Sequence, residues 1–298
     1  MKTILQVLKL SESYLEEHGV QSARLGAELL LASVLGVERL ELYLSFDRPL
    51  VESELAAYRK LISRRANHEP IQYILGHTGF RELIFALGPG VLVPRPETEG
   101  LVQLVLDRLG IVAQNTAAEN RRVLRVLDLC TGSGVVGISL AHEREGLWCL
   151  LTDISLEALH WAVKNSRRLE RAKGPDQVDF LCGDLAEPLA GKPFFDVVVG
   201  NPPYVRPENL ESLPEEIKRY EPAQAYSGGG SDGTAVIGRI IESVSRIMAQ
   251  GALLALEIGE SQDQAVNTLF AEQRGKYSGV EFHRDLVGKV RFVTAFRS

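Results

Sequence analysis

Four short apolar segments alternate with helix-compatible segments in the middle of the chain, and this alternation constrains the fold more than any other feature. The segments cover residues 123–129, 147–153, 178–182 and 195–200. Each is short, rich in apolar residues and bounded by turn formers, which is typical of a buried strand. Strands that alternate with helices form a parallel sheet with crossover helices. We therefore expect an α/β fold that binds its ligands at the carboxyl ends of the strands.

Polar residues stand at or just after the ends of these four strands: Asp128, Asp153, Asp184 and Asn201. Any one of them could be a helix cap or a turn residue. Because parallel strands end at the same edge of a sheet, the four side chains are expected to lie close together. The sequence therefore predicts a binding site at this edge.

A glycine-rich loop follows the first strand, with Gly132, Gly134 and Gly137 ahead of a helix-compatible run. This spacing, with Asp153 at the right distance for a ribose, is a dinucleotide fingerprint and would fit a dehydrogenase. Asp128 indicates a different ligand. A carboxylate just before the loop suits a ligand that carries an ammonium group and is awkward beside a pyrophosphate.

The fourth strand ends in Asn201-Pro202-Pro203-Tyr204. The prolines have no N–H group, so the strand cannot continue through them. The oxygen of Asn201 and the carbonyl of Pro202 can each accept one hydrogen of a planar NH₂ group, and the ring of Tyr204 can stack on it. A structural alternative is a simple Pro-Pro turn. We predict Asn201, Pro202 and Tyr204 as catalytic residues, with Pro203 as a further substrate contact.

Together, these motifs resemble the S-adenosylmethionine-dependent amino-methyltransferases. Further segments are similar to the peptide chain release factor glutamine methyltransferases of the PrmC/HemK type, and the resemblance covers nearly the whole chain. Those segments are Val93–Glu99, Tyr220–Pro222 with the Gly228–Gly233 loop, Leu256–Gly259, and Asp285–Gly288 with Arg291. One departure is Cys130, where many methyltransferases carry a third glycine. We expect it to tighten the fit around the cofactor only slightly.

The resemblance implies a seven-stranded, Rossmann-like class I methyltransferase sheet with a small N-terminal helical bundle and a linking β-hairpin. The implied reaction moves a methyl group from S-adenosylmethionine to the glutamine side-chain amide nitrogen of the Gly-Gly-Gln motif in class 1 release factors. Asp153 is expected to accept from the ribose hydroxyls, and Gly183–Leu185 to flank the adenine. Arg95 and Glu97 are expected near the substrate. The expected cofactor-binding residues are Asp128, Cys130, Thr131, Gly132, Ser133, Gly134, Asp153, Asp184, Leu185 and Asn201.

We expect three parts in the chain: a helical domain over 1–69, a β-hairpin linker over 70–90 and a methyltransferase domain over 91–298. The helical domain is either a packing appendage or a substrate-docking domain. Residues 71–75 are expected in the hairpin, because Pro70 breaks the preceding helical pattern. Residues 110–122 are expected to form a surface loop. Two strands near 279–284 and 290–296 are expected to pair antiparallel.

The composition and charge of the chain limit the classes of protein to which it can belong. The chain has 298 residues, 45% hydrophobic and 24% charged, which is ordinary for a globular protein. The net charge of −6 argues against general affinity for nucleic acid. Neither a signal peptide nor a membrane span is expected. Cys149 and Cys182 are expected to be buried free thiols, which fits the cytoplasm, and the histidine spacing predicts no metal site.

Rival functions share the same motifs. An Asn-Pro-Pro-Tyr corner could hold the amino group of adenine, which would make the protein a nucleic-acid methyltransferase. A related branch methylates a glutamine of a ribosomal protein. A non-catalytic binding module is a third alternative. The small N-terminal bundle, the acidic charge and the Pro94–Glu99 segment favour release factors.

Overall fold

The computed structural model describes residues 2–116, 123–170, 177–189, 191 and 193–298. The chain divides into two compact units. The first contains Met1–Thr78, Leu87–Pro89 and Pro214–Tyr220, and the second contains Gly79–Ala86, Gly90–Leu213 and Glu221–Ser298. Within the described residues, no helix is long and apolar enough to cross a membrane. Asn120, Arg121 and Arg122, which belong to the expected surface loop, lie outside the described residues.

The first unit is helical. Its apolar core contains Ile4, Leu8 and Leu15, which recur at helical spacing along one face of a helix, together with Leu30 and Leu31 of the next helix. Tyr58 is also buried, and its hydroxyl donates to the carbonyl of Ala27 at 3.0 Å. The helices in this part of the chain are α1 (Ile4–Glu17), α2 (Ala23–Leu35), α3 (Arg39–Leu44), α4 (Glu52–Ala66) and α5 (Ile71–Leu75).

The prediction that residues 71–75 belong to a hairpin is wrong, because they form α5. Pro70 precedes the first helical residue, where its missing N–H and restricted φ are tolerated. Gly76 ends the helix at φ +78°, a left-handed conformation that glycine adopts readily. The hairpin comes later, with β1 over His77–Phe80 and β2 over Leu83–Ala86.

The second unit is built on a mixed sheet. Within the described residues, seven strands pair in the order β5-β4-β3-β6-β7-β9-β8. The first five in this order run parallel, and β9 is antiparallel to both β7 and β8. The expected class I methyltransferase sheet, with its closing antiparallel pair, is confirmed. The strands are β3 (Leu124–Leu129), β4 (Leu147–Asp153), β5 (Val178–Cys182), β6 (Phe195–Gly200), β7 (Met248–Glu257), β8 (Tyr277–Arg284) and β9 (Val290–Arg297).

Buried clusters cover both faces of this sheet. Val197 and Val199 of β6 belong to one cluster and Val198 to the other, since successive strand residues point to opposite faces. Residues 109–115 form a helix, so the expected loop over 110–122 is wrong there. The remaining helices are α6 (Thr98–Leu106), α7 (Leu109–Asn115), α8 (Val135–Glu143), α9 (Leu156–Glu170), α10 (Glu215–Tyr220, part of the first unit), α11 (Ala235–Val244) and α12 (Asp263–Glu272).

The sheet order creates a switch point that places the site. From β3 the chain winds outward to β4 and β5, and then returns to place β6 on the other side of β3. The connecting segments therefore leave β3 and β6 in opposite directions and open a crevice above their carboxyl ends.

Candidate active site

A cavity of about 290 Å³ lies in the second unit at the carboxyl ends of β3, β4, β5 and β6. It brings together most of the site residues that were predicted from the sequence. Those lining it are Asp128, Cys130, Thr131, Gly132, Ser133, Asp153, Gly183, Asp184, Leu185, Asn201 and Pro203. Those that do not line it are Arg95, Glu97, Gly134, Pro202 and Tyr204.

The glycine loop turns the chain from β3 into α8. Gly134 precedes the first residue of α8 at φ +85°, where a side chain would be strained. A Cβ added to it would lie 2.7 Å from Ile138 Cδ1 and 3.2 Å from Ala162 Cβ, so these neighbours would have to shift to accept one. Gly134 thus shapes the loop, while Gly132 and Ser133 face the cavity.

Asp128 is a buried carboxyl with one oxygen left without a hydrogen-bond partner. Its Oδ2 accepts from Thr131 Oγ1 at 2.6 Å and from the Gly137 N–H at 2.9 Å. Among the described residues, Oδ1 has no partner. Burial raises the pKa of Asp128 to about 7. A buried, unpaired carboxylate oxygen beside a cavity fits a ligand that brings a positive charge or a strong donor.

Asp153 connects the ends of β3 and β4. Its Oδ2 accepts from the Gly132 N–H and its Oδ1 from the Ser155 N–H, both at 2.9 Å. Burial raises the pKa of Asp153, and these backbone hydrogen bonds oppose the shift. Each carboxylate oxygen accepts more than one hydrogen bond, so Asp153 can receive ligand hydroxyls while it still holds the glycine loop.

Cys130 has a left-handed backbone, with φ +56°. Glycine adopts this conformation without strain, whereas other L-residues pay roughly 1–2 kcal/mol. The departure from glycine therefore affects the backbone as well as the fit around the cofactor. Among the other cysteines, Cys149 is buried as expected, but Cys182 is exposed, so its predicted burial is wrong. Cys182 is the last residue of β5, at the outer edge of the sheet.

Arg239 of α11 is a cavity residue that sequence reasoning missed. Its Nη2 donates to Asp184 Oδ2 at 2.7 Å and to Glu187 Oε1 at 2.9 Å. These two bonds hold the guanidinium of Arg239 beside Asp184, which belongs to the segment expected to flank the adenine. Arg239 lies in no motif, and 55 residues separate it from Asp184, so the sequence gives no local signal for it.

The Asn-Pro-Pro-Tyr corner is fixed by a hydrogen-bond network. Asn201 Nδ2 donates to Thr98 Oγ1 at 3.2 Å, and Thr98 Oγ1 donates to Glu257 Oε2 at 2.7 Å. The hydroxyl of Tyr204 donates to Glu257 Oε1 at 2.9 Å. Asn201 and Thr98 line the cavity. Thr98 and Glu257 lie in segments that carry the family resemblance, but neither was nominated for a site.

Arg95 bonds to a buried carboxylate of this unit. Its Nη2 donates to both oxygens of Glu221, at 2.8 and 2.9 Å. Glu221 also accepts from the Val93 N–H at 3.2 Å. Pro222, Gln224, Ala225 and Ser227, just after Glu221, form part of the cavity wall. The arginine thus holds the start of that wall, while Glu97 is exposed.

In the part of the chain that the structure describes, no three His, Cys, Asp or Glu side chains are grouped so that they could hold a metal ion.

Family models match two parts of the chain. The PrmC N-terminal domain matches residues 6–76, and the methyltransferase small domain matches residues 111–218. The first region covers most of α1 and all of α2–α5, and the second covers the strands β3–β6 with the glycine loop and Asn201.

Curated relatives match over most of the chain. The release factor glutamine methyltransferase of Geobacter sulfurreducens is 39% identical over 269 residues, 90% of this chain and 88% of that protein. That of Bacillus subtilis is 36% identical over 297 residues, 99% of this chain and 98% of that protein. The hMettl16 catalytic domain, solved with a MAT2A 3′UTR hairpin, shares the fold, with a TM-score of 0.51 and 17% identity over 78% of this chain and 83% of that one.

Proposed function

This chain belongs to the release factor glutamine methyltransferases, which use S-adenosylmethionine, and on that premise we propose its reaction and substrate. It transfers the methyl group to the side-chain amide nitrogen of the glutamine in the Gly-Gly-Gln motif of class 1 release factors. The observation that carries the proposal is the position of Asn201, which lines the cofactor cavity while its NH₂ group is bonded to Thr98.

The chemistry of the cavity supports S-adenosylmethionine as the cofactor. When bound, this cofactor supplies a methyl group on a positively charged sulfur. The unpaired Oδ1 of Asp128 is suited to an ammonium group, and Asp153 can accept from hydroxyls while it holds Gly132. Cys130, Thr131, Ser133, Asp184 and Leu185 would contribute the rest of the cofactor site.

Asn201 would orient the substrate amide. An amide nitrogen is a poor nucleophile because its lone pair is delocalised, so the site must present that lone pair in the direction of attack. With Nδ2 bonded to Thr98, Oδ1 of Asn201 is the end of the side chain that can accept a substrate hydrogen. The carbonyl of Pro202 is proposed as the second acceptor, with Pro203 and the ring of Tyr204 against the amide plane. The acceptors match charge that develops on nitrogen.

No strong general base is required in this scheme, since a proton on the amide nitrogen becomes acidic only after its alkylation begins. The rate would therefore come mainly from orientation and preorganised acceptors. We also propose that the enzyme works in the cytoplasm and binds neither nucleic acid stably nor membranes. The net charge of −6 supports a protein substrate over a nucleic acid.

Substitution of Asn201 tests the proposal. Asn201→Ala should lower the turnover number by about 10²- to 10³-fold, the usual loss for one preorganised partner at a reacting centre. Asn201→Asp should bind the cofactor at least as well as wild type and still turn over far more slowly, because its charge also stabilises the ground state.

The measurement is mass spectrometry of a purified class 1 release factor after incubation with enzyme and S-adenosylmethionine. A release factor with Gln replaced in its Gly-Gly-Gln motif is the matched substrate control, and calorimetry of cofactor binding checks that each variant is folded. Methylation by both variants at near wild-type rates would reduce Asn201 to a turn residue. Methylation of adenine or of a ribosomal protein, with none of the release factor, would favour a rival substrate.

A further inference from the structure

A buried carboxylate lies behind Asn201, and the proposed reaction does not use it directly. Glu257 is the last residue of β7 and is 0% exposed. In the sheet, Gly200 at the end of β6 pairs with Leu256, so the next residue of β7 falls beside the Asn-Pro-Pro-Tyr corner. From there, Glu257 accepts the hydrogen bonds of Thr98 and Tyr204.

Thr98 connects this carboxylate to Asn201. A threonine hydroxyl has one proton to donate, and an ionised carboxylate can only accept. The proton of Thr98 is therefore committed to Glu257, at 2.7 Å. Only a lone pair of the Thr98 oxygen remains for Asn201, which must turn its NH₂ group toward it. This bond fixes the orientation of the asparagine amide, with Nδ2 toward Thr98 and Oδ1 on the other side.

The charge of Glu257 sets the direction of these bonds. Burial raises the pKa of Glu257 to about 7, and it is lowered by the hydrogen bonds from Thr98 and Tyr204 and by the guanidinium of Arg291. The carboxylate of Glu97 raises it further. Above this pH, Glu257 only accepts. Below it, the carboxyl carries a proton of its own, which competes with those of Thr98 and Tyr204.

We propose that Glu257 is a positioning residue for methyl transfer, acting through Thr98 to hold Asn201 with Oδ1 toward the substrate amide. Through the hydroxyl of Tyr204 it also fixes the orientation of that ring. The inference rests on the proposed function, because it takes Oδ1 of Asn201 as an acceptor of amide hydrogens. With the asparagine amide turned over, its own NH₂ would oppose the substrate NH₂, and two donors would face each other.

Threonine substitutions test the connection directly. Thr98→Val keeps the side-chain shape and removes the hydroxyl, so kcat on release factor should fall about 10- to 100-fold, somewhat less than for a direct partner of the reacting group. Thr98→Ser restores the hydroxyl and should keep kcat within about threefold of wild type. KM for release factor and the Kd of S-adenosylmethionine should change by less than about twofold in both.

The matched control is Thr116→Val. Thr116 is also a buried threonine, and its hydroxyl bonds to the Val112 carbonyl at 2.8 Å, but it lies in no motif and does not line the cavity. Its kcat should match wild type. Loss of kcat in Thr98→Val alone would thus report the network and not the removal of a buried hydroxyl.

A pH profile of Glu257→Gln supplies the second readout. At saturating cofactor and release factor, wild-type kcat should fall as the pH drops below about 7, and the Gln variant should show a flatter profile at a lower maximum. The inference is overturned if Thr98→Val keeps kcat within about threefold, if Thr98→Ser loses as much as Thr98→Val, or if the two pH profiles coincide. A wild-type enzyme that does not methylate release factor at all would overturn the proposed function itself.

Discussion

At the scale of single residues, Asp128 is a buried carboxyl that lines the proposed cofactor cavity. It is 1% exposed, and its Oδ1 has no hydrogen-bond partner among the residues that the structure describes. Since burial raises its pKa to about 7 from 3.8, the folded protein binds a proton more tightly than the unfolded chain does. In the absence of cofactor, this group therefore makes the protein less stable as the pH rises from about 4 to about 7.

Binding of S-adenosylmethionine should instead favour the ionised form of Asp128. An ammonium group binds the ionised form of Asp128, so S-adenosylmethionine affinity should fall about tenfold between pH 8 and pH 6, with uptake of close to one proton on release. Calorimetry in buffers of different ionisation enthalpy measures both quantities. Methylthioadenosine, which lacks the ammonium group, is the control ligand and should bind with little dependence on pH. Equal pH dependence for the two ligands would contradict this role of Asp128.

At the scale of elements, the Arg95–Glu221 pair fixes the segment that leads into the cavity wall. The Glu221 side chain is 1% exposed and that of Arg95 is 29% exposed. Removing one partner of a buried ion pair typically lowers the free energy of unfolding by about 3–5 kcal/mol. Because Arg95 is partly exposed, we expect a loss at the lower end of this range. Replacing both partners by neutral side chains costs much less.

We therefore expect Arg95→Ala to lower the free energy of unfolding by about 3 kcal/mol and to weaken cofactor binding. The double variant Arg95→Met with Glu221→Gln should recover more than half of that loss. Urea denaturation and cofactor titration measure the two effects. If Arg95 binds the substrate, as the sequence predicted, the double variant will regain stability but keep a raised KM for release factor. Equal destabilisation in both variants would show that the unpaired Glu221 carboxylate is not the cause of the loss in Arg95→Ala.

Elements with a strong local signal were predictable, and long-range contacts were not. The run of β-branched residues Val197–Val199 predicts a buried strand, and it forms the middle of the central strand β6, which is buried throughout. The run at 71–75 is too short to separate a helix from a strand by its pattern, so its assignment failed. Thr98 of α6 and Glu257 of β7 are 159 residues apart, and only the packing of that helix on the sheet brings their side chains together.

At the scale of the whole molecule, the first unit includes α10, although α10 comes from the long loop after β6. Arg65 Nη1 donates to Glu216 Oε2 at 2.7 Å, and the Tyr220 hydroxyl donates to the Asn67 carbonyl at 2.9 Å. A cut after residue 69, the boundary expected from the sequence, would remove these partners of α10. A substitution in the intact chain is therefore a cleaner test of substrate docking, which is one of the two roles that the sequence leaves open for the helical unit.

Arg65→Ala is that test. The Arg65 side chain is 9% exposed and that of its partner Glu216 is 38% exposed. The free energy of unfolding should therefore fall by about 1–2 kcal/mol, less than for a fully buried ion pair. Hydrogen exchange should quicken across Glu215–Tyr220 and leave β3 and β6 unchanged. Methylation of intact release factor should slow while that of a short Gly-Gly-Gln peptide does not. The control, Arg59→Ala, breaks an exposed pair with Glu52 and should change none of these. Unaltered exchange in α10 would show that the Arg65–Glu216 pair does not stabilise this helix. Equal losses on protein and peptide would contradict the docking role.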